Sequence, residues 1–381
     1  MNNGKDLFLY NRSILDADSY KRMLSLEDQW IGGIRSSIQH TRKAIESRKE
    51  FQREFKNLLL EDLEASSEDA DYISKQMSMT EFQVILREFA VDGLTEAQSF
   101  FPIIPRLPLA AQMPILRVLI DEFGCGNFQQ AHSRLYHQLL CELGMPTDIE
   151  SYLDTLNPES YAFLNIFYWL TNRAPHIEYF LGALAYLEST IPSSFQCFAE
   201  ACQRLNITSD KYYTEHIHID DFHAKDVLRS IWEVDAAIGV DYTKVWTGVQ
   251  ISSFITERAF TAAVEKSKVK ANEETDYIAL GDNLLSEVPL VGSAHDSTSV
   301  VIESQGRKYQ LPGACPHRGG KLACGTIDKK RGTITCPLHF SKFEIASGKH
   351  LSGPESVGLQ IIEITNDAKN THEASRQPVS I

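Results

Sequence analysis

Apolar side chains recur at every third or fourth position through most of the first 265 residues. In one such segment this spacing joins Met79, Phe82, Ile85, Leu86 and Phe89. An apolar stripe with this period is typical of an amphipathic α-helix that buries one face. Proline and glycine fall between the periodic segments, where helices end. We therefore predict helices within residues 19–63, 79–89, 132–143, 161–171, 176–189, 194–205, 211–233 and 235–264.

The pattern changes near residue 265. Residues 266–274 are charged and nearly devoid of large apolar side chains, which indicates a linker. Short runs rich in β-branched residues follow, and glycines such as Gly306 and Gly332 separate them. Runs of this kind predict a small all-β domain. The predicted strands are 288–291, 299–303, 308–311, 333–335 and 359–364.

The chain is therefore predicted to be multidomain, with an all-α helical bundle followed by a small all-β domain. Its length of 381 residues agrees with more than one domain, since domains usually hold about 100 to 200 residues. We predict N-terminal helices in residues 1–75, whose position suggests a role in dimerisation. The main helical domain is expected at 76–265, the linker at 266–285 and the β domain at 286–370.

The charge balance restricts the expected partners. Acidic residues outnumber basic ones by 51 to 37, and the net charge of −14 repels nucleic acids and anionic membranes. The N-terminus is polar where a signal peptide would be apolar, and the longest apolar stretches fall well short of the roughly 20 residues that cross a bilayer. We expect a cytoplasmic protein without a nucleic-acid or membrane partner.

Cysteine and histidine form a paired motif in the β domain. The chain has seven cysteines, and this odd, clustered set indicates metal ligation better than disulfides. Cys315-Pro-His317 is followed, after eighteen residues, by Cys336-Pro-Leu-His339. Two thiolates and two imidazoles can hold a [2Fe-2S] cluster, with cysteines on one iron and histidines on the other. Zinc is the alternative, although zinc sites rarely pair these two spacings among short strands.

This motif resembles the Rieske signature, and the resemblance extends over the whole β domain. Gly320, Gly325, Phe343 and Gly348 also match. Cys324 lies within the region, but no cysteine after Cys336 is available to pair with it. The resemblance is therefore to the soluble ferredoxin and oxygenase type, and it implies an electron-carrying domain.

Three candidate metal ligands lie on one face of a predicted helix. His216, Asp220 and His223 stand at i, i+4 and i+7, which places them within an arc of about 60°. One helix cannot close a metal site, so other helices must add carboxylates and imidazoles, as in di-iron bundles. Glu188 is a candidate because a lone carboxylate on an apolar helix face is costly unless paired or metal-bound. The alternative is a buried hydrogen-bonded network without metal.

A second stretch, Asp121-Glu122-Phe-Gly-Cys-Gly126, leads to His132. Together with the three-ligand helix and Glu188, it resembles the haem-oxygenase-like di-iron oxidases, over roughly residues 80 to 235. The similarity is greatest to the N-oxygenase branch, which includes streptozotocin-pathway and 2-nitroimidazole-forming enzymes. The resemblance implies two iron ions and a catalytic role for Glu122, which would be a seventh ligand. The other implied ligands are Glu96, with Glu88 as a nearby competitor, and His132, Glu188, His216, Asp220 and His223.

The two resemblances together imply an O2-dependent N-oxygenase that oxidises an amine, guanidine or amino-azole nitrogen, for example 2-aminoimidazole to 2-nitroimidazole. The Rieske domain would deliver electrons from an external reductase or ferredoxin, and a homodimer is expected. One alternative is a C–H desaturase or oxidative lyase acting on an amino acid or fatty acid, for which Glu122 would be unnecessary. A Rieske mononuclear oxygenase would place the Rieske domain first and have a second histidine five residues after His223, where this chain has Leu228. An electron carrier with a helical docking module is the remaining alternative.

Overall fold

The chain divides into two compact units, Met1–Leu284 and Leu285–Ile381. The architecture comes from a computed structural model. The residues that it describes are 3–38, 43–64, 67–270, 299–304, 306–317, 319–320, 322, 325–328, 331–336, 341–353 and 357–364.

The described part of the first unit is helical, which confirms the predicted all-α class. Three 3₁₀ segments, Glu96–Arg106, Gly124–Gly126 and Phe128–Gln130, connect longer α-helices. The α-helices are α1 Asn3–Asn11, α2 Ala17–Ser37, α3 Arg48–Glu64, α4 Glu68–Lys75, α5 Met79–Thr95, α6 Leu109–Glu122, α7 His132–Glu142, α8 Pro158–Asn172, α9 Ile177–Ser194, α10 Gln196–Arg204, α11 Lys211–Ile238 and α12 Tyr242–Lys270.

Helix α9 lies at the centre of the bundle. Its residues 179–188 are all buried, so the helix is enclosed around its whole circumference. It packs against both α11 and α12. Gly182 and Gly248 allow the α9–α12 contact, because a Cβ on Gly182 would lie 1.9 Å from the carbonyl oxygen of Val245. The backbones of these two helices are therefore in direct contact.

The N-terminal helices belong to the same compact unit as the rest of the bundle. Helix α1 packs against α8, and Phe8 is fully buried. Nε of Arg173 donates to Oε1 of the buried Glu27 in α2 at 2.8 Å. These contacts integrate α1 and α2 into the bundle, and their role in dimerisation stays a prediction.

Helix α12 extends to Lys270, past the predicted start of the linker at residue 266. Tertiary contacts explain the difference. Lys266 donates from Nζ to the buried carboxylate of Glu88 and to the carbonyl oxygen of Thr155, and Ser267 is fully buried. A charged stretch that resembles a linker in sequence is thus held in the helix by a buried partner. Residues 271–285 of the predicted linker lie outside the described residues.

The second unit contains two antiparallel sheets, with strand orders β1-β2-β7 and β3-β4-β5-β6, which confirms the small all-β domain. Strands β3, β5 and β6, of three residues each, were not among the predicted strands. The predicted strand at 288–291 lies outside the described residues. The strands are β1 Ser299–Ser304, β2 Arg307–Pro312, β3 Thr326–Asp328, β4 Thr333–Thr335, β5 Lys342–Glu344, β6 His350–Ser352 and β7 Ile362–Ile364.

In the part of the chain that the structure describes, every helix is too short or too polar to span a bilayer.

Candidate metal centre

The helical unit brings together all seven residues that the resemblance implied. Five chain segments supply them, because several helices end or begin at the same point inside the bundle. Glu96 directly follows α5, Glu122 is the last residue of α6, and His132 is the first residue of α7. The remaining four are Glu188 on α9 and His216, Asp220 and His223 on α11.

The first group of donors surrounds His216. Its Nε2 atom lies 3.2 Å from Oε1 of Glu96 and 3.0 Å from Nδ1 of His132. Nδ1 of His132 lies 2.8 Å from Oε2 of Glu122. These four residues present donor atoms that all lie within 4.8 Å of one another, a spacing that one metal ion can bridge.

The second group surrounds His223, which is fully buried. Its Nδ1 atom lies 3.2 Å from Oδ1 of Asp220 and 3.3 Å from Oε2 of Glu188. Oε1 of Glu122 lies 3.3 Å from the same nitrogen. Glu122 therefore belongs to both groups, with one carboxylate oxygen directed to each.

The second group contains donor atoms that the protein does not satisfy. Although Nδ1 of His223 lies within 3.3 Å of three carboxylates, neither its ring nitrogens nor the carboxylate oxygens of Asp220 form a well-directed hydrogen bond with any described residue. Both side chains are fully buried, and leaving buried polar atoms without partners is costly. A mixed carboxylate and imidazole donor set suits iron, and a bound ion would satisfy these atoms. The donor set therefore fits a pair of metal ions better than a closed hydrogen-bonded network.

Glu96 and Glu88 were alternative candidates for one ligand position, and their surroundings in the structure differ. Glu88 accepts hydrogen bonds from the backbone N–H of Asn157 at 2.8 Å and the hydroxyl of Ser160 at 2.6 Å, and it also accepts one from Lys266. It therefore has a structural role away from the donor groups. Glu96 has a backbone φ of +40°, in a region that non-glycine residues rarely adopt. Such strain concentrates at functional sites, where the surrounding structure holds it in place.

The two cysteines of the paired motif meet in the β unit. Cys315 and Cys336 are buried, and the hydrogen bond that the Cys315 thiol donates to Cys336 raises the pKa of Cys315. Backbone hydrogen bonds of 2.8 Å hold each cysteine loop, from Cys315 to Gly320 and from Cys336 to Ser341. His317 is half-buried, whereas His339 and Cys324 lie outside the described residues. Two buried cysteines side by side fit the cysteine half of an iron–sulfur site.

Comparison with known families agrees with both sites. Residues 83–252 match a family described as iron-containing redox enzymes, and all seven donor residues lie inside this range. Residues 265–363 match the Rieske [2Fe-2S] domain. This chain joins a haem-oxygenase-like iron redox domain to a Rieske domain. The match to the Rieske family favours the [2Fe-2S] cluster over zinc, and the order of the domains is the reverse of that expected for a Rieske mononuclear oxygenase.

One curated relative is nitrosourea synthase from Streptomyces achromogenes subsp. streptozoticus. It is 29% identical over 149 residues, which cover 37% of this chain and 30% of that protein. The similarity supports the N-oxygenase branch. Because the matched part spans less than a third of the relative, it supports an oxidoreductase without assigning a substrate.

Burial and mutual charge give the donors of the haem-oxygenase-like domain unusual acidities in the metal-free protein. Burial raises the pKa of Glu96 to about 8 and that of Glu188 to about 7. Burial would also raise the pKa of Glu122, but His132, His216 and His223 bring it down to about 2. Burial lowers the pKa of His216, yet the hydrogen bond with Glu96 and nearby carboxylates raise it to about 10. Metal binding at these donors would therefore release protons.

A cavity of about 430 Å³ adjoins the donor groups. Glu96, Glu122, Glu188, His216 and Asp220 form one part of its wall, and aromatic side chains form much of the rest. A pocket of this size accepts a small organic molecule beside the candidate metal site. Phe163 and Phe167 of α8 are among the aromatic side chains of this wall.

Three further residues near the site were not among the implied ligands. Oδ2 of Asp121 lies 3.6 Å from Nε2 of His223, on the side of the ring opposite Glu122. The Tyr212 hydroxyl lies 3.4 Å from both carboxylate oxygens of Glu96. Asp92 lines the cavity one helical turn before Glu96. Carboxylates and hydroxyls that contact ligand residues orient them and tune their basicity.

Proposed function

We propose that this chain is an O2-dependent di-iron N-oxygenase whose Rieske domain supplies electrons. The observation that carries the proposal is the pair of donor groups that share Glu122 at the wall of a cavity. In this proposal Glu96, His132 and His216 hold one iron, and Glu188, Asp220 and His223 hold the other. Glu122 would contribute to both, since its two carboxylate oxygens contact different donor groups. Cys315, His317, Cys336 and His339 hold the [2Fe-2S] cluster.

The bound iron pair would supply O2 activation. Forming a hydroxylamine requires one O2, two electrons and two protons per amine: R–NH2 + O2 + 2 e⁻ + 2 H⁺ gives R–NHOH + H2O. The protein positions the nitrogen in the cavity and excludes bulk water from the buried carboxylates. The two electrons come from the Rieske cluster, fed by an external reductase or ferredoxin. Further rounds would give nitroso and nitro products, as in the conversion of 2-aminoimidazole to 2-nitroimidazole.

The desaturase or lyase alternative predicts different products, and the relative named above supports oxidation at nitrogen instead. A desaturase or lyase would also not require Glu122, whereas Glu122 contacts both donor groups in this structure. A homodimer stays part of the proposal, and it is tested by the mass of the protein in solution.

The test is a turnover assay with the iron-loaded full chain, a chemical reductant and ¹⁸O2. Substrates are 2-aminoimidazole, a guanidine and a primary amine, with octanoate and alanine as carboxylate-bearing controls. We expect amine- or guanidine-stimulated O2 uptake and ¹⁸O on the product nitrogen. A product that has lost two hydrogens without gaining oxygen supports the desaturase. Iron content is a second readout: about four irons per chain agree with the enzyme, and about two with a lone [2Fe-2S] carrier.

A further inference from the structure

The cavity beside the donor groups is acidic as well as aromatic. Among the residues that the structure describes, no lysine or arginine side chain lines it. Three carboxylates outside the proposed ligand set do so, namely Asp62, Asp92 and Glu257. A carboxylate-bearing molecule would find no counter-charge on the protein in this cavity, whereas a cation would find several.

Asp92 is the innermost of these three carboxylates. It lies on α5, one turn before Glu96, and is half-buried with its side chain in the cavity wall. Burial raises the pKa of Asp92 to about 7, and its electrostatic interactions with His216 and Glu122 place it beside the donor site. Its carboxylate makes no hydrogen bond or ion pair with any residue that the structure describes.

The proposed iron pair does not neutralise Asp92. Two ferrous ions carry four positive charges, and the four carboxylates of the proposed ligand set carry four negative ones. The loaded centre is therefore close to neutral, and it offers no counter-charge to the ionised form of Asp92, whose pKa burial raises. An uncompensated carboxylate away from bulk water is costly, so a cationic group that reaches it is stabilised.

Asp62 and Glu257 differ from Asp92 because both are exposed to solvent. Oδ2 of Asp62 accepts a hydrogen bond of 3.0 Å from the hydroxyl of Tyr186 at the cavity wall. Exposed charges are screened by water and salt, so these two carboxylates attract cations but hold them weakly. Selection by charge is therefore expected at Asp92.

The walls suit a flat cation. Phe89 and Phe163 line the cavity and meet edge to face, with ring centroids 6.4 Å apart. Phe100 and Phe167 form a second pair at 4.9 Å. Aromatic faces attract cations, most strongly where water is excluded. Guanidinium, amidinium and protonated amino-azole groups are planar, cationic and rich in N–H donors for a carboxylate.

We propose that Asp92 is the specificity-determining residue of this cavity, and that it pairs with a planar cationic nitrogen group of the substrate. The inference rests on the proposed function for the location of the reaction, but it concerns binding alone. It also excludes fatty acids as preferred occupants, because their carboxylates would face Asp92 without a basic partner.

Three probes of one shape and different charge test this inference: benzamidinium, benzamide and benzoate. Each is titrated by calorimetry into the iron-loaded full chain without O2 or reductant, so that no turnover occurs. We expect benzamidinium to bind at least about tenfold more tightly than benzamide, as a charge-assisted hydrogen bond implies. Asp92→Asn should weaken benzamidinium binding by about tenfold and change benzamide binding by less than about twofold. The matched control Asp62→Asn should change both by less than about threefold.

Several results would overturn the inference. Benzoate could bind as tightly as benzamidinium, or benzamidinium could fail to bind the unaltered chain. Asp92→Asn could also weaken the binding of benzamidinium and benzamide equally. If Asp92→Asn fails to load iron, the relative affinities of the three probes for the unaltered chain still test whether the cavity prefers a cation. Failure of the N-oxygenase proposal is seen separately, as selective cation binding without amine-stimulated O2 uptake.

Discussion

Glu122 and His223 meet between helices α6 and α11, where Oε1 of Glu122 lies 3.3 Å from Nδ1 of His223. The other oxygen of Glu122 lies 2.8 Å from Nδ1 of His132. One carboxylate thus contacts both donor groups, although the histidines come from different helices. Glu122 is the residue through which the two halves of the site are coupled.

Replacing Glu122 by alanine should therefore disturb both proposed iron positions. We expect lower iron content in the helical unit and O2 uptake reduced by about 100-fold or more. Glu215→Gln is a matched control, since Glu215 neighbours His216 on α11 but lies 3.9 Å from Lys211 instead of contacting the donors. Iron quantitation and an oxygen electrode measure both. Full iron and full activity in Glu122→Ala would contradict a shared role, whereas lost activity with retained iron favours the N-oxygenase over the desaturase.

Iron binding should strengthen as the pH rises. In the metal-free protein the pKa of His216 is raised to about 10 and that of Glu96 to about 8, so both hold protons at pH 7. Iron needs neutral imidazole and ionised carboxylate, so binding releases these protons. Each released proton increases the apparent affinity about tenfold per pH unit. Anaerobic Fe(II) titrations between pH 6.5 and 8 measure this slope, and an affinity that does not change with pH would be inconsistent with protonated donors.

Substituting serine for Cys315 should remove the iron–sulfur cluster and spare the helical site. We expect iron to fall from about four to about two per chain, with loss of visible absorption from the cluster. O2 uptake driven by an enzymatic reductase should stop, and direct chemical reduction should restore it. Cys141→Ser is the control, because Cys141 is an exposed free thiol on α7. Undiminished reductase-driven turnover in Cys315→Ser would argue against electron delivery by the Rieske domain.

Two lysines on α12 should differ sharply in their effect on stability. Lys266 pairs with Glu88, whose side chain is fully buried, whereas Lys268 lies 3.0 Å from Asp69 at the surface. Lys266→Met leaves a buried carboxylate without its cation and should lower the free energy of unfolding by about 3 kcal/mol. Lys268→Met should cost less than about 1 kcal/mol. Denaturant unfolding followed by circular dichroism compares them, and equal effects would refute the buried pair.

A methyl group at Gly182 should separate two central helices. Its Cβ would lie 1.9 Å from the backbone oxygen of Val245, which cannot move without shifting α12. We expect Gly182→Ala to cost about 3 kcal/mol of unfolding free energy. Gly32→Ala is the control: no atom lies within 4 Å of its Cβ, so the better helix former should add about 0.5 to 1 kcal/mol. Thermal unfolding distinguishes these opposite signs, and a stable Gly182→Ala variant would show that the helices are further apart.

Much of the site was predictable because its strongest signal is local. His216, Asp220 and His223 share a face of one helix through the 3.6-residue period alone, and the structure places them there. The two cysteine motifs could also be predicted from the sequence, since each consists of residues close together in one short loop. The change from helical period to short β runs also indicated two domains, although α12 continues five residues into the predicted linker because Lys266 has a buried partner.

The competition between Glu88 and Glu96 could not be resolved from spacing. Both lie on or next to α5, and only the packing of α8 and α12 shows that Glu88 is bonded to Asn157, Ser160 and Lys266. Glu96 reaches the donor groups because α5 ends there with a strained backbone. Hydrophobic periodicity does not show where a helix ends relative to the neighbouring helices of a bundle.

The sequence by itself determined the order of the domains, the helix that carries three donors, and the paired cysteine motif, because each depends on residues close together in the chain. Tertiary structure alone decided that Glu122 contacts both donor groups, that Asp121 lies behind His223, and that Asp92 faces the cavity. These relationships join residues up to about a hundred positions apart. They depend on how helices of different lengths converge in the core, which is set by packing among side chains distant in sequence.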